Sequence, residues 1–228
     1  MKTGVITCLV VLIFSCGQKN EQAKDNEKRA EKGEQKSEKG EQKEENKKTI
    51  VFFGNSITAG YGLELSDAFP ARIQEKLDSL NLPYKVVNAG VSGETSSGGK
   101  GRIDWILKQP VNIFVLELGG NDGLRGIPLS ETKKNLQTII EKVKAKDPGI
   151  KIIITGMQIP PNMGKKYTTE FRSMYPDLAK NNNIALVPFI LEGVGGRAEL
   201  NLADGIHPTA EGHRILANNV WSVLQGLL

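Results

Sequence analysis

Beyond Lys48, short runs of β-branched and aromatic residues alternate with longer stretches whose apolar residues recur about every 3.6 positions. Five of the short runs predict strands, over residues 49–53, 84–88, 113–117, 151–155 and 185–187. Five of the longer stretches predict helices, over residues 69–80, 98–108, 129–146, 165–182 and 208–227. Alternation of this kind, with strands that are apolar throughout, is typical of a parallel sheet with helices on both faces. The sequence therefore predicts one α/β domain over residues 49–228, a three-layer sandwich around a five-stranded parallel sheet.

The first 16 residues form a different pattern. A lysine at position 2 precedes an apolar run over residues 5–14, and a Ser-Cys pair ends the segment at Cys16. A positive end followed by a short apolar core is typical of an export signal, whereas a membrane span needs roughly 20 apolar residues. The sequence Ile-Phe-Ser-Cys at 13–16 resembles a bacterial lipobox, which implies cleavage before Cys16 and its acylation. We interpret residues 1–15 as a lipoprotein signal peptide; the alternative is an ordinary secretory peptide with a chance cysteine.

Residues 16–48 comprise the lipidated Cys16 and a charged stretch. Between residues 17 and 48 there are ten Lys or Arg residues and nine Asp or Glu residues, with almost no apolar ones. Such a segment buries too little apolar surface to fold, so it is predicted to be a disordered tether. Its mixed charge and lack of aromatic residues argue against a nucleic-acid-binding arm. We expect the protein to be exported and to be anchored to a bacterial membrane by its lipid, on the periplasmic or the cell-surface face.

Cysteine and histidine are scarce in the predicted domain. Both cysteines precede residue 49, which excludes a disulfide, a catalytic thiol and a thiolate metal site from the domain. The chain contains two histidines, His207 and His213, which are too few ligands for a typical metal site. We therefore predict chemistry that needs neither a metal nor an organic cofactor. The sequence leaves the oligomeric state open, with a monomer as the expectation.

A candidate nucleophile follows the first predicted strand. The chain continues there as Gly-Asn-Ser-Ile-Thr, which places Ser56 on a turn at the sheet edge, where its hydroxyl is exposed and backbone N–H groups are near. The alternative is a Gly/Ser loop that only turns the chain or caps the next helix. Because position 58 is Thr, this loop is not the Gly-x-Ser-x-Gly elbow of the α/β-hydrolases. No strand is followed by a phosphate-binding Gly-Lys-Ser/Thr sequence.

The candidate base is His207, which lies in the loop before the last predicted helix. Asp204 precedes it by three residues, a spacing that lets the carboxylate accept from one ring nitrogen while the other faces Ser56. His213 falls inside the predicted helix, where packing or solvent exposure is the expected role. The alternative for the pair is that Asp204 caps the final helix and His207 has no chemical role.

These segments resemble, in order and spacing, the four conserved sequence blocks of the SGNH hydrolases, also called GDSL lipases. The resemblance covers nearly all of residues 49–228 and points to the arylesterase and thioesterase–protease–lysophospholipase branch. Its blocks are Gly54-Asn55-Ser56-Ile57, the loop at Gly90, Gly119-Gly120-Asn121-Asp122 and Asp204-Gly205-Ile206-His207. The resemblance implies a flavodoxin-like fold, with Ser56 as nucleophile and with Asp204 and His207 completing a catalytic triad. It also implies an oxyanion hole made by the backbone N–H groups of Ser56 and Gly90 and the side-chain amide of Asn121.

Each part of this implied site has a physical reason. A glycine at position 90 would let a backbone N–H approach the substrate closely, and an amide donor aimed at an oxyanion is worth about 3 kcal/mol. The first block departs from the usual Gly-Asp-Ser-Leu, since this chain has Asn55 and Ile57. Asparagine keeps the acceptor of aspartate and adds donors, so the expected change is in the local electrostatics and not in the role of Ser56.

The loop after the fourth strand bears on the substrate. Residues 157–164 read Met-Gln-Ile-Pro-Pro-Asn-Met-Gly, and the resemblance implies that Met157, Ile159 and Pro160 line an acyl groove. The alternative is a stiff proline loop that only connects two elements. No insertion long enough to form a lid is visible, so an open site is expected. This favours short- to medium-chain acyl esters, aryl esters, thioesters or lysophospholipids over long triglycerides.

The predicted function is hydrolysis of a small-molecule carboxylic ester through an acyl-enzyme. A carbohydrate O-deacetylase on the same fold is one alternative, and it would use the same triad with a polar groove. A catalytically silent surface-binding module is another. Such a module would be free to lose Ser56, Asn121, Asp204 or His207, and their joint presence argues against it.

Overall fold

The structure, a computed structural model of the protein, describes residues 47–228. The predicted signal peptide, the predicted lipidation site Cys16 and the predicted tether up to residue 46 lie outside the described residues. Lys47–Leu228 forms a compact unit of its own. No helix within this unit combines the length and the apolar character that crossing a bilayer requires.

A five-stranded parallel sheet forms the centre of this unit. Its strands are β1 (Lys48–Gly54), β2 (Tyr84–Gly90), β3 (Ile113–Glu117), β4 (Lys151–Thr155) and β5 (Ala185–Val187). They lie in the order β2-β1-β3-β4-β5, and all four pairings are parallel. This order is the flavodoxin-like one, so the predicted fold class is confirmed. The apolar residues of β1 and β3 are buried because helices cover both faces of the sheet.

Between residues 47 and 228, seven α-helices accompany the strands. They are α1 (Ser56–Ala59), α2 (Phe69–Ser79), α3 (Ser96–Ile106), α4 (Gly120–Leu124), α5 (Leu129–Lys146), α6 (Lys165–Asn182) and α7 (Ala210–Leu224). Short 3₁₀ turns occupy Leu65–Asp67, Pro161–Met163, Ala198–Leu200 and Gln225–Leu227. Helix α2 packs against α7, and α5 packs against both α3 and α6. The two groups cover opposite faces of the sheet, as right-handed crossovers require when the strand order reverses at β1.

The predicted elements agree with the structure to within three residues at each end. Helix α3 begins at Ser96, two residues before the predicted start, because the Thr95 side chain caps it by accepting from the Gly98 N–H at 3.3 Å. Helix α7 begins two residues after Pro208, since Thr209 caps it in the same way. Helices α1 and α4 were not predicted, because four or five residues are too few to show a helical period.

Strand register brings three segments together at one point of the carboxyl edge. Gly54 at the end of β1 pairs with Gly90 of β2 on one side and with Glu117 of β3 on the other. The loops that follow these three strands therefore start side by side. This is where an open α/β sheet places its reactive groups.

Candidate active site

Ser56 is held on a single turn of helix directly after β1. It is the first residue of α1, and the preceding Asn55 caps the helix by accepting from the Ile57 N–H at 2.9 Å. Gly60 ends the helix in a left-handed conformation with a φ of 78°. These two caps fix the turn. Ser56 is buried on this turn, with 8% of its own surface exposed.

His207 joins Ser56 to Asp204 through its two ring nitrogens. The Ser56 hydroxyl lies 2.9 Å from His207 Nε2, and His207 Nδ1 lies 2.6 Å from Asp204 Oδ2. In the tautomer that satisfies both contacts, Nδ1–H donates to the carboxylate and Nε2 accepts from the serine hydroxyl. The structure thus brings the three residues predicted as a triad into one hydrogen-bonded chain.

Asp204 is held as a carboxylate by the backbone of its own turn. Its Oδ1 accepts from the N–H groups of Ile206 at 2.8 Å and His207 at 3.0 Å. These bonds, together with the one to the imidazole, lower the pKa of Asp204 to about 2. The group that orients His207 is therefore ionised throughout the neutral and mildly acidic range.

The segment that carries Asp204 and His207 is a closed loop. Asn201 and Pro208 form an isolated antiparallel bridge, and the Leu202 N–H donates to the His207 carbonyl at 2.7 Å. The Tyr61 ring lies against the His207 imidazole with centroids 4.4 Å apart. The loop and the aromatic contact together fix where the imidazole lies relative to α1.

Asn121 lines the same groove as Ser56 and is positioned by the loop that follows β2. Its side-chain amide donates to the Glu94 carbonyl at 3.0 Å. The Glu94 carboxylate in turn accepts from Arg102 at 2.6 and 2.5 Å, and Arg102 donates to the Ala89 carbonyl at 2.8 Å. An amide nitrogen has two hydrogens, so Asn121 keeps a second donor after the bond to Glu94.

Gly90 does not occupy the place predicted for it. Its N–H donates to the Asn88 side chain at 3.0 Å, and it borders a separate surface depression whose lining includes neither Ser56 nor His207. A Cβ at this position would lie 2.2 Å from the Ala59 nitrogen. The glycine is therefore needed so that β2 can approach α1, and the prediction that its N–H belongs to the oxyanion hole is not supported by this geometry.

A groove of about 470 Å³ opens above Ser56. It contains Ser56, His207 and Asn121, and the three predicted acyl-groove residues Met157, Ile159 and Pro160 are part of its wall. Further apolar wall is provided by Ile57, Leu124, Pro161, Phe189, Leu191 and Ile206. The reactive hydroxyl therefore lies at the base of a mostly apolar groove.

One buried carboxylate near the site was not among the predicted residues. Glu117, the last residue of β3, is 1% exposed and accepts hydrogen bonds from Asn55 and Thr58 on either side of Ser56. Burial raises the pKa of Glu117 to about 7, against the opposing effect of these hydrogen bonds. The signal in the sequence is a glutamate at the end of an otherwise apolar strand, a position where a charge is costly unless it is paired.

His213 has a structural role. It is 1% exposed on α7, and its Nδ1 accepts from the Phe69 N–H at 3.1 Å, which caps the first turn of α2. Burial lowers the pKa of His213 to about 4, so the ring is neutral at neutral pH. This agrees with the expectation that His213 is not the base.

The burial of His213 predicts an effect of pH on stability. The unfolded chain binds a proton at this residue below a pH of about 6.5, whereas the folded protein does so only below about 4. His213 should therefore reduce the free energy of unfolding by about 3 kcal/mol as pH falls through this window. Urea unfolding of the wild type and of His213→Asn, whose amide can still accept from Phe69, measures this as the difference between the two proteins.

The difference in free energy of unfolding between the two proteins is the proper measure, because the protonation of Glu117 changes stability in the opposite direction. Its raised pKa makes the folded protein bind the extra proton between about 4.5 and 7, which stabilises the folded state as pH falls. This contribution is common to both proteins and cancels. A stability difference between wild type and His213→Asn that stays constant from about pH 7 to 4 would show that His213 is not the buried neutral acceptor.

The described residues contain no group of three or more His, Cys, Asp or Glu side chains that could hold a metal ion.

Comparison with known proteins gives a consistent result. Residues 52–215 match the model of the GDSL-like Lipase/Acylhydrolase family. The chain is 41% identical over 182 residues to Esterase TesA of Pseudomonas aeruginosa, which covers 79% of this chain and 90% of that protein. It is 37% identical over 181 residues to thioesterase 1/protease 1/lysophospholipase L1 of Escherichia coli K12, covering 79% and 85%. An arylesterase of Vibrio mimicus is 33% identical over 172 residues, covering 75% and 85%.

Solved structures agree in fold. A crystal structure of TesA superposes with a TM-score of 0.76 at 41% identity, covering 79% of this chain and all of that one (100%). The psychrotrophic esterase EstA from Pseudoalteromonas superposes with a TM-score of 0.73 at 29% identity, covering 78% and 97%. The resemblance inferred from the four sequence blocks is therefore confirmed.

Proposed function

The chain belongs to the GDSL-like lipase/acylhydrolase family of ester hydrolases, and we propose that it is a serine esterase acting through a covalent acyl-enzyme on Ser56. The observation that carries this proposal is the chain of contacts from the Ser56 hydroxyl to His207 at 2.9 Å and from His207 to Asp204 at 2.6 Å. A serine hydroxyl is a weak nucleophile until an adjacent base takes its proton, and this geometry provides that base.

In the first step, His207 Nε2 removes the proton from Ser56 as the hydroxyl oxygen attacks the ester carbonyl carbon. The imidazolium that forms is stabilised by the ionised Asp204. Collapse of the tetrahedral intermediate breaks the bond to the alcohol, which leaves with the proton from His207. The acyl group then remains on Ser56.

The negative charge on the carbonyl oxygen needs donors that are already in place. Ser56 is the first residue of α1, where a backbone N–H has no acceptor within the helix. The Asn121 amide lines the same groove and is held by Glu94. We assign both groups to the oxyanion hole, where one such donor lowers the barrier by about 3 kcal/mol.

The second step returns the enzyme to its starting state. A water molecule loses a proton to His207 Nε2 and attacks the acyl carbonyl, and the acid leaves as Ser56 regains its proton. Every proton is passed through one imidazole, so no other acid or base is required.

The groove indicates the substrate class. Met157, Ile159 and Pro160 form an apolar wall next to Ser56, which suits an aliphatic or aromatic acyl group better than a sugar. We propose short- to medium-chain acyl or aryl esters as substrates, with thioesters and lysophospholipids as chemically related ones. The activities named for the relatives, esterase, arylesterase and thioesterase/lysophospholipase, support this range.

Hydrolysis of nitrophenyl esters from acetyl to palmitoyl tests the function and the groove together. A burst of nitrophenol about equal to the enzyme concentration, followed by a slower steady rate, is expected from an accumulating acyl-enzyme. Ile159→Thr should lower kcat/KM for the octanoyl ester by about tenfold and change the acetyl ester little, because the longer chain loses apolar contact. Leu65→Thr is the matched control, since Leu65 is 74% exposed and lies outside the groove.

The other outcomes separate the alternatives. Equal losses on acetyl and octanoyl esters in Ile159→Thr would contradict the acyl-groove assignment. Activity on acetylated oligosaccharides but on none of the nitrophenyl esters would favour a carbohydrate O-deacetylase. A protein that binds such ligands without hydrolysing any of them would favour the silent binding module.

A further inference from the structure

A buried carboxylate lies directly behind the turn that carries Ser56. Glu117 accepts from the Asn55 side-chain amide at 2.8 Å, from the Asn55 N–H at 3.2 Å and from the Thr58 hydroxyl at 2.8 Å. Asn55 precedes Ser56 and Thr58 follows it by two residues, so the carboxylate is hydrogen-bonded to the turn on both sides of the nucleophile. We call Asn55, Thr58 and Glu117 the turn clamp.

The turn clamp is closely packed against Gly54. Gly54 pairs with Glu117 in the sheet, and a Cβ at Gly54 would lie 2.1 Å from Thr58 Oγ1 and 2.7 Å from the Glu117 carboxylate. An apolar side chain at the end of β3 would avoid the cost of burying an ionisable group. The use of a carboxylate here needs a reason beyond filling space.

We propose that Glu117 is a positioning residue, whose carboxylate holds the Ser56 turn in the orientation that brings the hydroxyl within reach of His207. The proposal rests on the proposed function, in which Ser56 is the nucleophile. Glu117 does not touch the reacting atoms; it acts through Asn55 and Thr58.

The donor and acceptor pattern of the turn clamp is specific. Asn55 uses its oxygen to accept from the Ile57 N–H and its nitrogen to donate to Glu117. Each group that forms a hydrogen bond with Glu117 can donate to it, which suits a carboxylate acceptor. Asn55 therefore links the helix cap and the buried acid in a way that an aspartate could do only by sharing a proton with Glu117.

This pattern of donors and acceptors predicts the effect of exchanging the amide and the carboxylate between positions 55 and 117. Glu117→Gln places an amide donor against a donor of the turn, whichever way the amide is rotated. Asn55→Asp places two carboxyl groups face to face. In the combined variant Asn55→Asp/Glu117→Gln the introduced glutamine donates to the introduced aspartate, and the remaining glutamine oxygen accepts from the backbone N–H at 55 and from Thr58. Every group of the turn clamp then has a partner again.

The experiment compares the wild type, the two single variants and the combined variant on a nitrophenyl acyl ester at saturating and at low substrate. Each single variant should lower kcat by about 10- to 100-fold and leave KM within about twofold, because Asn55 is the only member of the turn clamp that lines the groove and its exchange for aspartate keeps the size of the side chain, whereas the nucleophile is displaced. The kcat of the combined variant should be at least about tenfold higher than that of the single variants. Ile153→Val, at a buried position of β4, is the control for a variant that is less stable but has an intact turn clamp.

The outcomes distinguish this inference from the function on which it rests. Wild-type kcat in a folded Glu117→Gln, or a folded combined variant no better than the worse single one, would overturn the positioning role. If Glu117→Gln does not fold, Thr58→Val can be used instead, because it removes one donor to Glu117 with little change in volume. An unchanged kcat in Thr58→Val would also overturn the positioning role. Retention of activity in Ser56→Ala would instead refute the serine mechanism, whatever the Glu117 variants do.

Discussion

Replacing Ser56 with alanine is expected to lower kcat for nitrophenyl ester hydrolysis by about 10⁴- to 10⁶-fold. The covalent route needs the hydroxyl that lies 2.9 Å from His207, and no other group at the base of the groove can replace it. The residual rate should come from the donors of the oxyanion hole and from substrate binding, which survive the substitution.

Steady-state kinetics should be combined with chemical labelling to measure this effect. A nitrophenyl phosphonate should form one adduct, on the peptide that contains Ser56, and the burst of nitrophenol should disappear in Ser56→Ala. Ser173→Ala is the matched control, because Ser173 is an exposed serine on α6 whose hydroxyl donates to the Glu170 carbonyl. Undiminished turnover in Ser56→Ala, or an adduct on a different residue of the wild type, would rule out the assignment of the nucleophile.

The sequence predicted the fold because its strands and long helices show clear periods. Buried strands such as Ile113–Glu117 have nearly continuous apolar sequences, and helices such as Leu129–Lys146 have an apolar face flanked by charged residues. The parallel sheet then follows from alternation, since parallel strands need a crossover between them. Helices α1 and α4 could not be predicted in this way, because their positions depend on caps and on neighbouring loops.

The candidate triad was also accessible to sequence reasoning, because its members either follow a strand closely or lie in the loop before a helix. Ser56 follows β1, and the three-residue spacing of Asp204 and His207 is enough to form their hydrogen bond within one turn. Gly90 shows the limit of this reasoning. A glycine indicates a close approach, but the sequence does not say what approaches, and the structure shows that it is α1.

Glu117 shows a second limit. Its partners Asn55 and Thr58 are about sixty residues away in sequence, and only the pairing of β1 with β3 brings them together. The departure from the usual Asp at position 55 acquires its meaning from this contact. The extra donor of the asparagine, visible in the sequence as a chemical difference, has a buried carboxylate as its acceptor.

The second large effect is expected at Asp204. Asp204→Asn should lower kcat by about 10³- to 10⁴-fold with a much smaller change in KM, because an amide neither stabilises the imidazolium nor enforces the Nδ1–H tautomer. The pKa of Asp204 is about 2, so the carboxylate is ionised at every pH at which the folded protein would be assayed. Protonation of Asp204 should therefore add no step to the wild-type pH–rate profile above about pH 4, and the loss of kcat in Asp204→Asn should be read on the alkaline plateau of parallel pH–rate profiles.

Exposure of the Asp204 side chain, 37% against 20% for His207, allows a sharper test than loss of activity alone. In Asp204→Ala, the space beside Nδ1 is open to solvent, and added formate or acetate should restore part of the lost kcat by taking the position of the missing carboxylate. The same salts should not restore Ser56→Ala. Glu211→Gln, at another exposed carboxylate that pairs with Arg214, should keep wild-type activity. If Asp204→Asn stayed within about tenfold of the wild type, the carboxylate would be capping its own loop and His207 would work without it.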